Sequence, residues 1–124
     1  MQFAFAPELI PIDIKEWNPI EGEEVYVREP TAGEYAIYEG LQARLHWGGL
    51  DDAARRKVYA EIVVKFARNK AVQLMFTQEM ITNIAQGSSK PARRIAIKIA
   101  ELGKLDDEEL KELEKNLPAT ATEG

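Results

Sequence analysis

The strongest constraint in this sequence is a run of helix punctuation between positions 31 and 116. Thr31-Ala32-Gly33-Glu34 spells a capping box, in which the threonine oxygen accepts from the amide of Glu34 and the glutamate carboxylate returns to the threonine amide. Asp51 or Asp52 can cap a second helix and Thr77 a third. Lys90-Pro91 places proline in the first turn of a fourth, where its missing amide costs nothing. Asp106-Asp107-Glu108-Glu109 opens a fifth, with acids where the helix dipole favours them. Gly48-Gly49, Gly87-Ser88-Ser89, a left-handed stop at Gly103 and Pro118 supply the ends. The expected fold is mainly α, a compact bundle of about five short helices.

Apolar spacing says which faces turn inward. Tyr35, Tyr38, Leu41 and Leu45 form the core stripe of the first helix; Val58, Ile62 and Phe66, flanked by Tyr59 and Val63, form that of the second, which runs to about Ala67 or Arg68. Val63-Val64 is poor helix material that only burial can rescue, so this helix is expected to be central. Met80, Ile81 and Ile84 mark the third, and Ile95, Ala96, Ile99 and Leu102 the fourth. Leu105, Leu110, Leu113 and Leu117 suit a fifth docked on the body, while 72–76 reads either as a short strand or as more helix.

Before Thr31 the period changes from helical to two. Ile10, Ile12 and Ile14 alternate with Pro11 and Asp13, and Val25-Tyr26-Val27 follows the Gly22 break, so a small extended or β-hairpin element is expected, with its prolines confining it to edges. The division expected is an extended arm at 1–24 that contacts a partner or a second copy, a helical domain at 25–117 and a disordered tail at 118–124. The opening residues have no positively charged leader and read as part of the mature protein.

Composition narrows the function. At 124 residues the chain supports one modest core, and no apolar run approaches the roughly 20 residues that span a bilayer. With no cysteine and one histidine, neither a thiolate nor a multi-histidine metal centre can be built, and neither metal nor cofactor is expected. The acid pairs sit at helix starts and loops in polar company, where capping explains them better than paired-carboxylate catalysis. No stretch matches a calcium loop, and Gly87-Ser88-Ser89-Lys90 lacks the glycines of a phosphate loop. The expectation is a partner-binding protein, not an enzyme.

Three groups of residues are candidates for that binding. Phe3, Phe5 and Trp17 are aromatics on a proline-broken segment that must either fold back onto the helices or enter a partner. His46 and Trp47 sit at the end of the first helix, and Arg93, Arg94 and Lys98 form the basic face of the fourth. That basic helix, 90–102, supports the alternative reading of a small DNA-binding or regulatory protein, opposed by the net charge of −5.

Two segments carry a resemblance. Val25-Tyr26-Val27-Arg28-Glu29-Pro30-Thr31-Ala32-Gly33-Glu34, followed by Tyr38-Glu39, resembles the opening of the tail assembly chaperones of long-tailed, siphovirus-type phages and prophages: a short strand ending in arginine and a Thr-Ala-Gly-Glu helix start. Phe76-Thr77, Ala92-Arg93-Arg94-Ile95, Ala100-Glu101-Leu102-Gly103-Lys104-Leu105 and the Glu109-Leu110-Lys111-Glu112-Leu113-Glu114-Lys115-Asn116 ending resemble the distal half of that family, in the same order. The chain departs at 67–71, where the family often has a glycine-containing turn, and at Gly103, where it often has asparagine.

The resemblance implies a non-enzymatic protein that binds the tape measure protein, keeps its apolar helical surface from aggregating and recruits tail tube subunits. It also implies work in the cytoplasm of the bacterial host, absence from the mature virion and, in many members, a longer form made by frameshifting. Self-association is allowed; membrane and nucleic acid are not expected partners.

Overall fold

The computed structural model describes residues 7–104. Phe3, Phe5, the expected fifth helix at 106–117 and the tail at 118–124 lie outside the described residues. Within them the expected architecture holds: helices packed around one apolar core, with a small antiparallel hairpin at the N-terminal side.

Strand β1 (Ile10–Ile12) pairs with β2 (Val25–Val27), placing Ile10 opposite Val27, Pro11 opposite Tyr26 and Ile12 opposite Val25. Alternation sends Ile12, Val25 and Val27 into the core and leaves Pro11 outside, at an outer edge that needs no amide. Ile14 is buried as well, so Ile10, Ile12, Ile14 and Trp17 pack against the core formed by the helices.

Helix α1 (Ala32–Trp47) starts on the complete capping box: Thr31 Oγ1 accepts from the Glu34 amide at 3.2 Å, and Glu34 Oε1 accepts from the Thr31 amide at 2.9 Å. Tyr38, Leu41 and Leu45 are buried and Tyr35 is half-buried against Tyr38. The helix stops at Gly48, and Gly49 takes the left-handed φ of 57° that turns the chain toward α2.

Helix α2 (Asp52–Phe66) is capped by Asp51, whose carboxylate accepts from the Ala54 amide at 2.8 Å. Val58, Ala60, Ile62, Val63, Val64 and Phe66 are all buried, so the helix is central and burial compensates its β-branched residues. It packs against each of the other helices.

The helix ends close to where expected, but 72–76 takes neither of the two forms left open for it. Ala67 turns extended, Arg68 exchanges two backbone hydrogen bonds of 2.8 Å with Tyr26, and a tight turn returns the chain so that the Met75 amide donates to the Ala67 carbonyl at 3.1 Å. Residues 67–75 are thus a turn joined to the far side of β2 by isolated bridges, not a continued helix and not a full strand.

Thr77 does not cap: its side chain accepts no amide, and a single 3-10 turn, Gln78–Met80, leads into the six-residue α3 (Ile81–Gln86). Helix α4 (Lys90–Gly103) begins with Pro91 in its first turn and buries Ala92, Ile95, Ala96 and Ile99. Gly103 is not the expected left-handed stop. It closes the helix without positive φ, and it is small because a Cβ there would overlap the Tyr35 ring.

Candidate partner-binding groove

The chain between the two strands builds one wall of an open, mostly apolar groove. Residues Lys15–Trp17 form a 3-10 turn that docks on α4. Glu16 grips the Arg94 guanidinium with both oxygens at 2.6 Å, and Arg94 also donates to the Asp13 carbonyl at 2.9 Å. The bidentate Arg94 pair, working against a smaller upward push from burial, holds the Glu16 carboxyl down at about 2, so the clamp stays charged at any ordinary pH. Trp17 is thereby laid over the body, its indole N–H donating to the Ser88 carbonyl at 2.9 Å and its ring edge-on to Phe76 at 6.0 Å.

Between Trp17, the 18–23 loop and the 75–88 segment runs a groove of about 680 Å³. Its surface is mostly apolar, with Ile14 and Val25 deep, Phe76 and Ile84 half-buried, and Met75 and Met80 on the walls. Methionine is unbranched and polarizable, which suits a wall that must fit more than one side-chain shape. Among the described residues the charges that line it are Glu16 and Glu23, and no cation does. Such a groove can receive large aliphatic side chains from a neutral or basic helix.

The residues expected from the sequence to bind a partner are not gathered in one place. Trp17 lines the groove and Arg94 lies behind it, linked through Glu16. Arg93 lies over the Tyr59 ring at 5.8 Å, and Lys98 pairs with Glu101 at 2.9 Å, so the basic face of α4 is already engaged within the chain. His46 and Trp47 are exposed at the far end of α1 and take no part in the groove. Met75, Phe76, Met80 and Ile84 form much of its apolar lining; their apolar character was visible, but their convergence with Ile14 and Trp17 is tertiary.

A second polar centre is structural. Glu34 Oε2 accepts from Arg28 at 3.2 Å and from Arg68 at 3.0 Å while Oε1 closes the capping box, so one carboxylate joins β2, α1 and the 67–75 turn. Burial alone pushes the Glu34 carboxyl up, but the Thr31 amide and the two guanidiniums outweigh it and hold it below the ordinary carboxylate value. Arg68 is lowered, first by burial and then by the charge of Arg28 beside it. No cluster of histidine, cysteine or carboxylate suited to a metal occurs among the described residues.

No protein-family model and no curated protein sequence matches the chain. A solved structure does: the tail assembly chaperone of bacteriophage HK97 superposes with a TM-score of 0.53 over 86% of this chain and 91% of its own, at 13% sequence identity. The two chains share a fold.

Proposed function

We propose that this protein is a non-enzymatic tail assembly chaperone of a long-tailed phage or prophage. In this reading it binds the tape measure protein in the host cytoplasm, shields that protein's apolar helical surface, brings tail tube subunits to it and is absent from the finished virion. The observation that carries the reading is the fold shared with the HK97 chaperone. The methionine-walled groove supports it, because a reversible client contact needs an apolar, adaptable seat and no covalent step. Three of the groups with displaced proton affinity, Glu16, Glu34 and Arg68, are tied into ion pairs that join elements, which fits a scaffold better than an acid–base centre.

The test is co-expression with fragments of the tape measure protein from the same phage or prophage. The expected result is that a fragment insoluble alone becomes soluble and co-elutes with this chain, and that Met75→Asp with Met80→Asp abolishes rescue while the helical circular dichroism is retained. A fragment that stays insoluble and unbound defeats the proposal. So does salt-sensitive binding to duplex DNA that vanishes on charge reversal at Arg94 and Lys98, which would favour a regulator.

A further inference from the structure

A second groove, of about 380 Å³ and mostly apolar, lies along the outer side of α4. The stripe from Arg93 through Ile97 and Ala100 to Lys104 forms one side of it, and Tyr38 of α1 with Tyr59 of α2 the other. Ile97 stands in the middle of that stripe, 59% exposed, whereas Ile95 and Ile99 of the same helix are buried. Nothing among the described residues covers it.

The chain itself leads to this groove. Lys104 lines one end and leaves α4 in extended conformation, with φ −78° and ψ 139°. Two residues later Asp106-Asp107-Glu108-Glu109 begins the stretch that reads as a helix start. So short a connection brings the next helix back alongside α4. The tether also holds that stretch at a roughly millimolar effective concentration, an advantage no free partner shares.

Length, apolar pattern and charge agree with that occupant. The groove runs about 16 Å from Arg93 to Lys104, and a helix over 106–117 spans about 18 Å. Leu110, Leu113 and Leu117 fall on one face of such a helix. Residues 105–117 carry six carboxylates against two lysines. The groove offers Arg93 and Lys104, while the acid among its described lining, Glu101, is held by Lys98 at 2.9 Å. The groove beneath Trp17 has the opposite character: Glu16 and Glu23 line it, and it lies beside Gly87 and Ser88, at the other end of α4 from Lys104. An acidic segment is repelled there.

We propose that residues 105–117 of this chain close the α4 groove, with their leucines on Ile97 and the two tyrosines and their acids toward Arg93 and Lys104. The proposal does not rest on the chaperone reading, because its test uses this protein alone with no client present.

The chain has no cysteine, so thiols can be placed in pairs in the full-length protein. The exposure of Ile97 makes Ile97→Cys a mild change. On mild oxidation it is expected to couple within one chain to Leu110→Cys or to Leu113→Cys, since facing positions on close-packed helices come within disulfide reach. Met80→Cys with Leu113→Cys, which reports on the other groove, should couple at least tenfold more slowly. In the Ile97→Cys, Leu113→Cys chain, Leu110→Asp with Leu117→Asp should slow coupling at least tenfold, and Arg93→Glu with Lys104→Glu several-fold, with cooperative thermal unfolding retained.

Thiols that stay reduced in both Ile97 pairs overturn the proposal, and so does coupling that the two aspartates leave unchanged. Three other results overturn it by naming a different arrangement. A disulfide band at twice the chain mass gives the groove to a second copy, preferential coupling of Ile97→Cys to Phe5→Cys gives it to the N-terminal residues, and faster coupling through Met80→Cys puts the segment in the other groove.

Discussion

Replacing Glu34 separates the two jobs of its carboxylate. Glu34→Gln retains a capping-box side chain but removes the charge shared by Arg28 and Arg68, whereas Glu34→Ala removes both. Breaking a fully buried pair costs about 3–5 kcal/mol, but the carboxylate is 24% exposed and Arg28 and Arg68 are 22% and 12% exposed, so screening reduces the charge contribution to about 1–2 kcal/mol. Losing the return bond to Thr31 adds about 0.5–1 kcal/mol. Urea unfolding at pH 7 should therefore place Glu34→Gln about 1–2 kcal/mol and Glu34→Ala about 1.5–3 kcal/mol below the parent.

The pH dependence has a definite sign. The folded carboxyl lies below its ordinary value of 4.5, so its contribution is complete above that value and is lost as pH falls through the lowered folded value. The gap between parent and Glu34→Gln should narrow in acid. A gap under about 0.5 kcal/mol at pH 7, or one that persists unchanged at low pH, would refute the account of Glu34 as the joint between β2, α1 and the turn.

Gly103→Ala should destabilise by about 1–3 kcal/mol in thermal melts despite alanine's better helix propensity, because its methyl meets the Tyr35 ring; Tyr35→Leu in the same chain should recover much of the loss. Val72 holds a left-handed φ of 66°, a poor conformation for a β-branched residue, so Val72→Gly should stabilise by about 1 kcal/mol in urea titrations. Because the Arg94 pair depresses Glu16 to about 2, the clamp over Trp17 should persist at pH 4 and be lost as pH falls through about 2. Arg94→Ala should red-shift the Trp17 component of the emission even at pH 7, read in a Trp47→Phe background.

What could be read in advance was local. The capping box at Thr31, the Asp51 cap and proline in the first turn of α4 depend on neighbours three or four residues away, and each forms as its spacing dictates. The failures involve partners distant in sequence. Arg94 reads as part of a free basic face until Glu16, 78 positions earlier, is brought to it. Gly103 carries the same letter whether it bends the chain or yields to a ring, and only Tyr35 tells which. Residues 72–76 read equally as strand or helix because what holds them is a bridge from Leu74 to Arg68, itself held by the Tyr26 backbone, and the methionine walls of the groove became a surface only once Trp17 was laid beside them.

The hairpin offers little for a stray extended chain to grow on. Pro11 withholds an amide in the middle of the outer strand, that strand is three residues long, and the inner one already has Arg68 on its other flank. Cross-β accretion, in which a stray extended segment adds to an open ladder and recruits the next, therefore finds no template along these strands. The small sheet is in this way protected from seeding deposits of its own.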